Sequence, residues 1–111
     1  MKVRDLKNIA FLNILTDEDT FDNEISDLYT SDLLSWVMGH VHSEKVCLLT
    51  VLNTINAVAV ATLLDMSAII FCEGVIPTSD ITRKANEEGI AIITSPYSSM
   101  ATAREIMKYE G

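Results

Sequence analysis

The chain reads as an α/β domain, a three-layer α/β/α arrangement around a mainly parallel central sheet. Two observations carry this. Three apolar segments, Val46 to Leu52, Ser67 to Cys72 and Ile90 to Thr94, are each followed by a helix-like stretch. Each segment is a near-continuous apolar run rather than an alternating one, the pattern of strands buried on both faces by crossover helices. In such sheets the turns leaving the strands gather along one edge. Here they are Leu52-Asn53-Thr54, Glu73-Gly74-Val75-Ile76-Pro77 and Ser95-Pro96-Tyr97-Ser98-Ser99, and that edge is where a small ligand would bind.

The elements follow in order. Val3, Leu6, Ile9 and Ala10 recur at spacings of three and four, which predicts a short amphipathic helix over Val3 to Ala10, and a short strand over Phe11 to Leu15 follows. Ile25 to Thr30 reads as a strand. Ser31 or Asp32 can cap a helix whose apolar stripe is Leu33, Leu34, Val37 and Met38, with Gly39 as its stop. After the strand at Val46, the helix from about Thr54 to Met66 is apolar around almost its whole circumference, through Ile55, Ala57, Val58, Ala59, Val60, Ala61, Leu63 and Leu64. Such a helix must be buried on more than one side. Either neighbouring helices cover it or a second copy of the chain does; the second option predicts a homodimer or higher homo-oligomer. Thr78 or Ser79 caps the next helix, Gly89 stops it at Glu88, and the last helix runs from Ser98 to Tyr109 with Met100, Ala103, Ile106 and Met107 on one side.

Composition bounds the function. With 111 residues, of which 49% are apolar, the chain fits one globular domain, residues 1–111. A net charge of −8 with only eight scattered Lys and Arg argues against nucleic acid as a partner, because phosphate binding needs clustered cations. Seven carboxylates fall between Asp17 and Asp32 with no Lys or Arg among them, but the run lacks the central Gly and the terminal Glu of a calcium loop. It reads as a solvated acidic loop. The most apolar window, Ala57 to Cys72, is interrupted by Thr62, Asp65 and Ser67, whereas a membrane span needs about 20 mostly apolar residues. No membrane association is expected, no signal peptide is evident at the start, and the expected location is the cytoplasm.

Few residues promise chemistry. Cys47 and Cys72 lie in predicted strands without a C-x-x-C, so they read as inert core thiols. With four glycines in all, the chain can form neither a P-loop nor a G-x-G-x-x-G turn, and no cofactor is expected. A looser anion site remains open, because helices beginning near Thr54, Thr78 and Ser98 present free backbone N–H groups to one edge. Thr54, Ser95, Ser98 and Ser99 can equally serve only as caps. Glu73 ends a very apolar strand, where a carboxylate can either bind a ligand hydroxyl or amine or simply face solvent. Asn53 and Asn56 are the polar groups at the neighbouring strand end. His40, His42 and Glu44 could share one side of an extended segment, although a solvated turn explains them as well, and no metal site is expected. An enzyme would have to work through Glu73 with Tyr97 or His42, and no nucleophile–base pattern supports that.

Three segments in order, Asn56-Ala57-Val58-Ala59-Val60-Ala61, then Ala68-Ile69-Ile70-Phe71-Cys72-Glu73-Gly74, then Glu88 to Tyr97, carry a resemblance. From Thr50 to Ala103 the chain resembles the DRTGG domain, a small α/β module also similar to the N-terminal domain of HPr kinase/phosphorylase and found in CBS-domain pyrophosphatases and beside phosphotransacetylases. The naming motif is altered here: Leu52-Asn53 stand for its Asp-Arg, and Cys72-Glu73-Gly74 for its Thr-Gly-Gly. Stand-alone proteins with a segment like Ser31 to Met38 accompany iron-only hydrogenase and related redox operons. The resemblance thus implies a regulatory or accessory role, with a hydrogenase or another redox enzyme as a possible partner, and no kinase activity, since the P-loop domain of that neighbour is missing. The expected function is a non-enzymatic, homo-oligomeric ligand-sensing module. Its site would be the strand-end edge of Asn53, Thr54, Asn56, Glu73, Gly74, Ser95, Tyr97, Ser98 and Ser99. The alternative is a structural subunit docked on a larger redox or phosphotransfer enzyme.

Overall fold

Runs of Val, Ile, Leu and Phe form the central strands because β-branched and aromatic side chains pack well on a pleated surface buried on both sides. The computed structural model describes residues 1–110. Its strands are β1 (Asn13–Ile14), β2 (Asp27–Thr30), β3 (Val46–Thr50), β4 (Ala68–Phe71) and β5 (Ala91–Thr94). Its helices are α1 (Leu34–His40), α2 (Ile55–Leu63), α3 (Ser79–Glu88) and α4 (Ser99–Glu110), with 3-10 turns at Val3–Asn8 and Glu18–Thr20. The five strands form one sheet in the order β1-β5-β4-β3-β2, parallel except for β1. The expected three-layer α/β/α architecture is therefore present.

Consecutive strands β2 to β5 are neighbours, so their three connecting helices share one face. There Val37 of α1, Val58 of α2 and Ile81 of α3 pack with Leu48, Ile69, Phe71 and Ile92. On the opposite face α4 and the N-terminal 3-10 turn pack Ile106, Val3 and Leu6 against Cys47, Leu49, Ile70 and Ile93. Alternate residues of each strand thus feed two cores, as a period of two requires.

Several expectations are refined by packing. Val3–Asn8 is a 3-10 turn rather than an α-helix, and β1 shortens to two residues. Neither Ser31 nor Asp32 caps α1: Leu33 stands at its N-cap with no side-chain bond, and the helix passes through Gly39 to His40. Asp32 is taken instead by the next strand end, where its Oδ1 accepts from Thr50 Oγ1 at 2.8 Å and from Val51 N–H at 2.9 Å. Thr54 caps α2 as expected, accepting from Asn56 N–H. Gly89 ends α3 in the left-handed conformation at φ 72°, which a residue with a Cβ adopts only at a cost. As for α2, it sits between α1 and α3, which with the sheet bury Ala57, Val58, Val60 and Ala61. Of its apolar residues only Ile55, Ala59 and Leu63 stay exposed, so much of its apolar circumference is covered within one chain.

Candidate functional site

Between β4 and β5 the connections part. The β4–α3 segment crosses to one face and the β5–α4 segment to the other, as the two separate cores of α3 and α4 show. Such a divergence between adjacent parallel strands is a topological switch point, the place where open α/β sheets present ligand-binding edges. Here the divergence falls at Cys72-Glu73-Gly74 and Ser95-Pro96-Tyr97, two of the three turns singled out from sequence.

Hydrogen bonds tie these two turns together at the base. Glu73 N–H donates to Tyr97 O at 2.7 Å and Gly74 N–H to Ser95 O at 3.0 Å. Both Glu73, at φ 59°, and Gly74, at φ 74°, are left-handed. Glycine adopts this freely, whereas for Glu73 it stores on the order of 1 kcal/mol that the two bonds hold in place. The peptide groups are used in the stitch, and the Glu73 side chain is left exposed at the rim.

The hydroxyls beneath are shared internally. Ser95 Oγ, buried, bonds Thr102 Oγ1 at 2.7 Å and accepts from Tyr97 N–H at 3.2 Å. Ser98 Oγ accepts from Ala101 N–H at 3.1 Å, the capping bond of α4. Cys72 lies beside Ser99 and Thr102; burial pushes its thiol up, an effect that hydrogen bonds from those two hydroxyls partly offset. The Cys47 thiol is pushed up further by complete burial, so neither sulfur is a nucleophile near neutral pH. At the third turn Asn53 Nδ2 donates to Ile76 O at 3.1 Å, joining the β3–α2 and β4–α3 loops, and Asn56 is exposed one turn into α2.

The structure therefore brings Glu73, Gly74, Tyr97, Ser98 and Ser99 together at one rim, with Ser95 buried beneath it, and sets Asn53, Thr54 and Asn56 beside it across the Asn53–Ile76 bond. Two residues at this edge were missed as site groups. Asp32 presents a carboxylate at the end of β2, and Thr102, buried one turn into α4, links Ser95 to the Cys72 thiol. The signal for Asp32 was its place after a predicted strand; the signal for Thr102 was a polar residue within the apolar stripe of the last helix. Chemically, the edge offers hydroxyls, backbone N–H groups of the α4 N-terminus and two rim carboxylates, a surface for a small polar molecule. His40 does not join His42 and Glu44: its Nδ1 lies 2.9 Å from Trp36 O and its ring stacks on Trp36. No group of three His, Cys, Asp or Glu side chains positioned for a metal occurs among the described residues, the acidic run included. Nor is any described helix long and apolar enough to cross a membrane.

No protein-family model matches the sequence, and neither does any curated protein. Among solved structures, the chain is similar to the CBS and DRTGG domains of the regulatory region of a Clostridium perfringens pyrophosphatase, crystallised with the activator diadenosine tetraphosphate. The match covers 96% of this chain at a TM-score of 0.75 and 18% identity, and the chain spans 45% of that structure's length. At this identity the likeness is one of fold, and it supports the DRTGG-like α/β architecture that the order of the three apolar segments implied.

Proposed function

We propose that the domain is a non-enzymatic, homo-oligomeric regulatory module that senses a small polar or anionic ligand at the strand-end edge. The observation that carries this is the divergence of α3 and α4 between adjacent strands β4 and β5, with hydroxyls and a helix N-terminus converging there. Its fold likeness to a regulatory region crystallised with a nucleotide activator supports the same reading. Binding would rest on Ser98, Ser99 and the first N–H groups of α4 for negative charge, and on Glu73, Asn53 and Asn56 for hydroxyl or amine groups. Ser95 and Thr102 act from below, holding the α4 N-terminus in register with β5.

The test is a thermal shift series with inorganic phosphate, acetyl phosphate, ATP and diadenosine tetraphosphate. A saturable rise with one of them is expected, since a ligand at 100 times its Kd stabilises the folded state by about 2.7 kcal/mol. The rise should shrink in Ser99→Ala and Glu73→Gln. A flat response to the whole panel into the millimolar range would overturn the reading.

The alternative, a structural subunit docked on a hydrogenase or another redox or phosphotransfer enzyme, draws on a different observation. Leu33, Trp36 and Met38 of the α1 region are all about half exposed or more, at 58%, 52% and 46%. A Trp in such a cluster suits a protein contact. Co-purification of an enzyme lost in Trp36→Ala, without any metabolite shift, would favour this second reading.

A further inference from the structure

On the β1 side the rim carries an aromatic pair beside its polar groups. Tyr97, 52% exposed, meets Phe11 edge to face, with ring centroids 4.8 Å apart and planes at 86°. Phe11 stands just before β1, whose antiparallel pairing with β5 brings it to the turn at Tyr97. Between these rings and α4 lies a cleft of about 330 Å³, lined by Phe11, Tyr97, Ala101, Arg104 and Glu105. It continues past Phe11 and Glu105 into a hollow of about 410 Å³, where Asn8 Nδ2 donates to Tyr109 OH at 2.8 Å. Ala101, Arg104, Glu105 and Lys108 recur at spacings of three and four, so they share one flank of α4. Arg104 differs from the other two arginines of the chain. Arg4 lies 2.7 Å from Asp22 and Arg83 lies 2.8 Å from Asp80, whereas Arg104 makes no ion pair among the described residues. The carboxylate of Glu105 is met by Lys108 Nζ at 3.1 Å. In a chain of net charge −8, this cleft thus keeps one uncompensated cation.

We propose that this cleft takes a planar aromatic ring joined to a phosphate, the chemistry of a nucleoside monophosphate, with the ring stacked on Tyr97 and the phosphate held by Arg104. The inference rests on the sensing role proposed above and names the ligand class for that edge. A guanidinium is a planar fork that meets two phosphate oxygens at once, which a solvated ammonium does not. Side chains of a helix lean toward its N-terminus, and Arg104 stands five residues past Ser99, about 7.5 Å along the axis, so its charge is carried back toward the rim. The edge-to-face contact with Phe11 orients the Tyr97 ring before a ligand arrives, which limits the ordering cost of stacking. A phosphate without a ring gains nothing from Tyr97, and a ring without charge leaves Arg104 unpaired, so the two together select a molecule that carries both. The cleft is at the small end of ligand pockets, which span roughly 300–1,000 Å³. Because a side chain supplies the cation, no glycine-rich phosphate loop is needed.

Titration calorimetry of the purified chain tests this with AMP, GMP, CMP and UMP, and with the two halves of each, its nucleoside and ribose 5-phosphate. At least one nucleotide should bind saturably, and both of its halves should bind at least about tenfold more weakly. Arg104→Gln should weaken that nucleotide about tenfold or more and leave the nucleoside unchanged. Tyr97→Ala should weaken nucleotide and nucleoside together and leave ribose 5-phosphate unchanged, while Tyr97→Phe, which keeps the ring, should retain most of the affinity. Both side chains are exposed, so the circular dichroism spectrum should be the same in all three variants. No binding of any of the nucleotides into the millimolar range overturns the proposal. So does ribose 5-phosphate binding as tightly as the nucleotide, or nucleotide binding that neither Arg104→Gln nor Tyr97→Ala alters. A melting shift with inorganic phosphate or acetyl phosphate that survives both variants removes the cleft alone. A nucleotide that depends on Arg104 and Tyr97 but is indifferent to Ser99→Ala and Glu73→Gln keeps the cleft and removes those two residues from the sensing site.

Discussion

The two edges of the sheet are built in opposite ways. β1 is two residues long and runs antiparallel to β5, and the chain beyond it is sewn down by side chains. Thr16 Oγ1 accepts from Ile92 N–H at 3.1 Å and is itself bonded to Thr20 Oγ1, while Asp17 N–H donates to Asn86 Oδ1 on α3. β2 is four residues long; Ser26 Oγ donates to Glu44 O, Asp32 accepts from Thr50 and Val51, and Asp27 Oδ1 accepts from Leu28 N–H at 2.9 Å within the strand itself. The first edge is closed by polar side chains, whereas the second leaves a groove along β2 walled by Ala103 and Met107.

The centre sets the scale against which both edges are measured. Phe71→Ala, at a fully buried side chain of β4, should cost about 3–5 kcal/mol in a urea titration, through lost transfer energy and the cavity left behind. A cost below about 1 kcal/mol would mean that the centre is no better packed than the edges. At the closed edge, Thr16→Val keeps the shape but leaves the Ile92 N–H without an acceptor in a buried place, a loss of about 1–3 kcal/mol. The central thiols add a pH dependence. Both are raised on folding, so the stability they contribute is complete below the ordinary thiol range near 9.0 and declines as pH rises above it. Urea titrations at about pH 8 and about pH 10 should differ by about 1 kcal/mol through Cys47, with the lower value at the higher pH and Cys72 acting in the same direction. Equal values would mean that the thiols are already solvated in the folded state.

At the open edge the expected costs to the single chain are smaller. Asp32→Ala removes two inward bonds at an exposed position and should lower stability by about 1 kcal/mol, while Asp32→Asn, which keeps an acceptor oxygen, recovers most of it. Met107→Glu should change the stability of an isolated chain by less than about 0.5 kcal/mol. If Met107→Glu unfolded the chain as readily as Thr16→Val, the contrast between the edges would disappear.

Most of the fold was legible in the sequence, and the reasons are local. Apolar runs marked β3, β4 and β5; Thr54 and Gly89 marked a start and a stop through groups that satisfy helix ends. Misreadings arose where a residue had a better distant partner. Asp32 looks like a cap because caps are judged from the residues that follow it, yet Thr50 and Val51, nearly twenty positions on, offer it two donors. The apolar surround of α2 calls for cover on more than one side, and a single sequence does not reveal that α1 and α3 supply part of that cover. The candidate site was legible as three turns on one edge. Its stitching, Glu73 to Tyr97 and Gly74 to Ser95, was not, because backbone bonds between loops depend on position and leave no mark in residue type.

The sequence by itself determined the α/β class, the order of elements and the buried status of Cys47 and Cys72, since these follow from periodicity and the cost of exposing apolar surface. Only the tertiary structure decided that α3 and α4 diverge to opposite faces, that the β4 and β5 turns are bonded together, and that β2 is left as an edge with Met107 beside it. Those facts depend on which residues far apart in the chain become neighbours, and local energetics constrain that only through the packing of the whole.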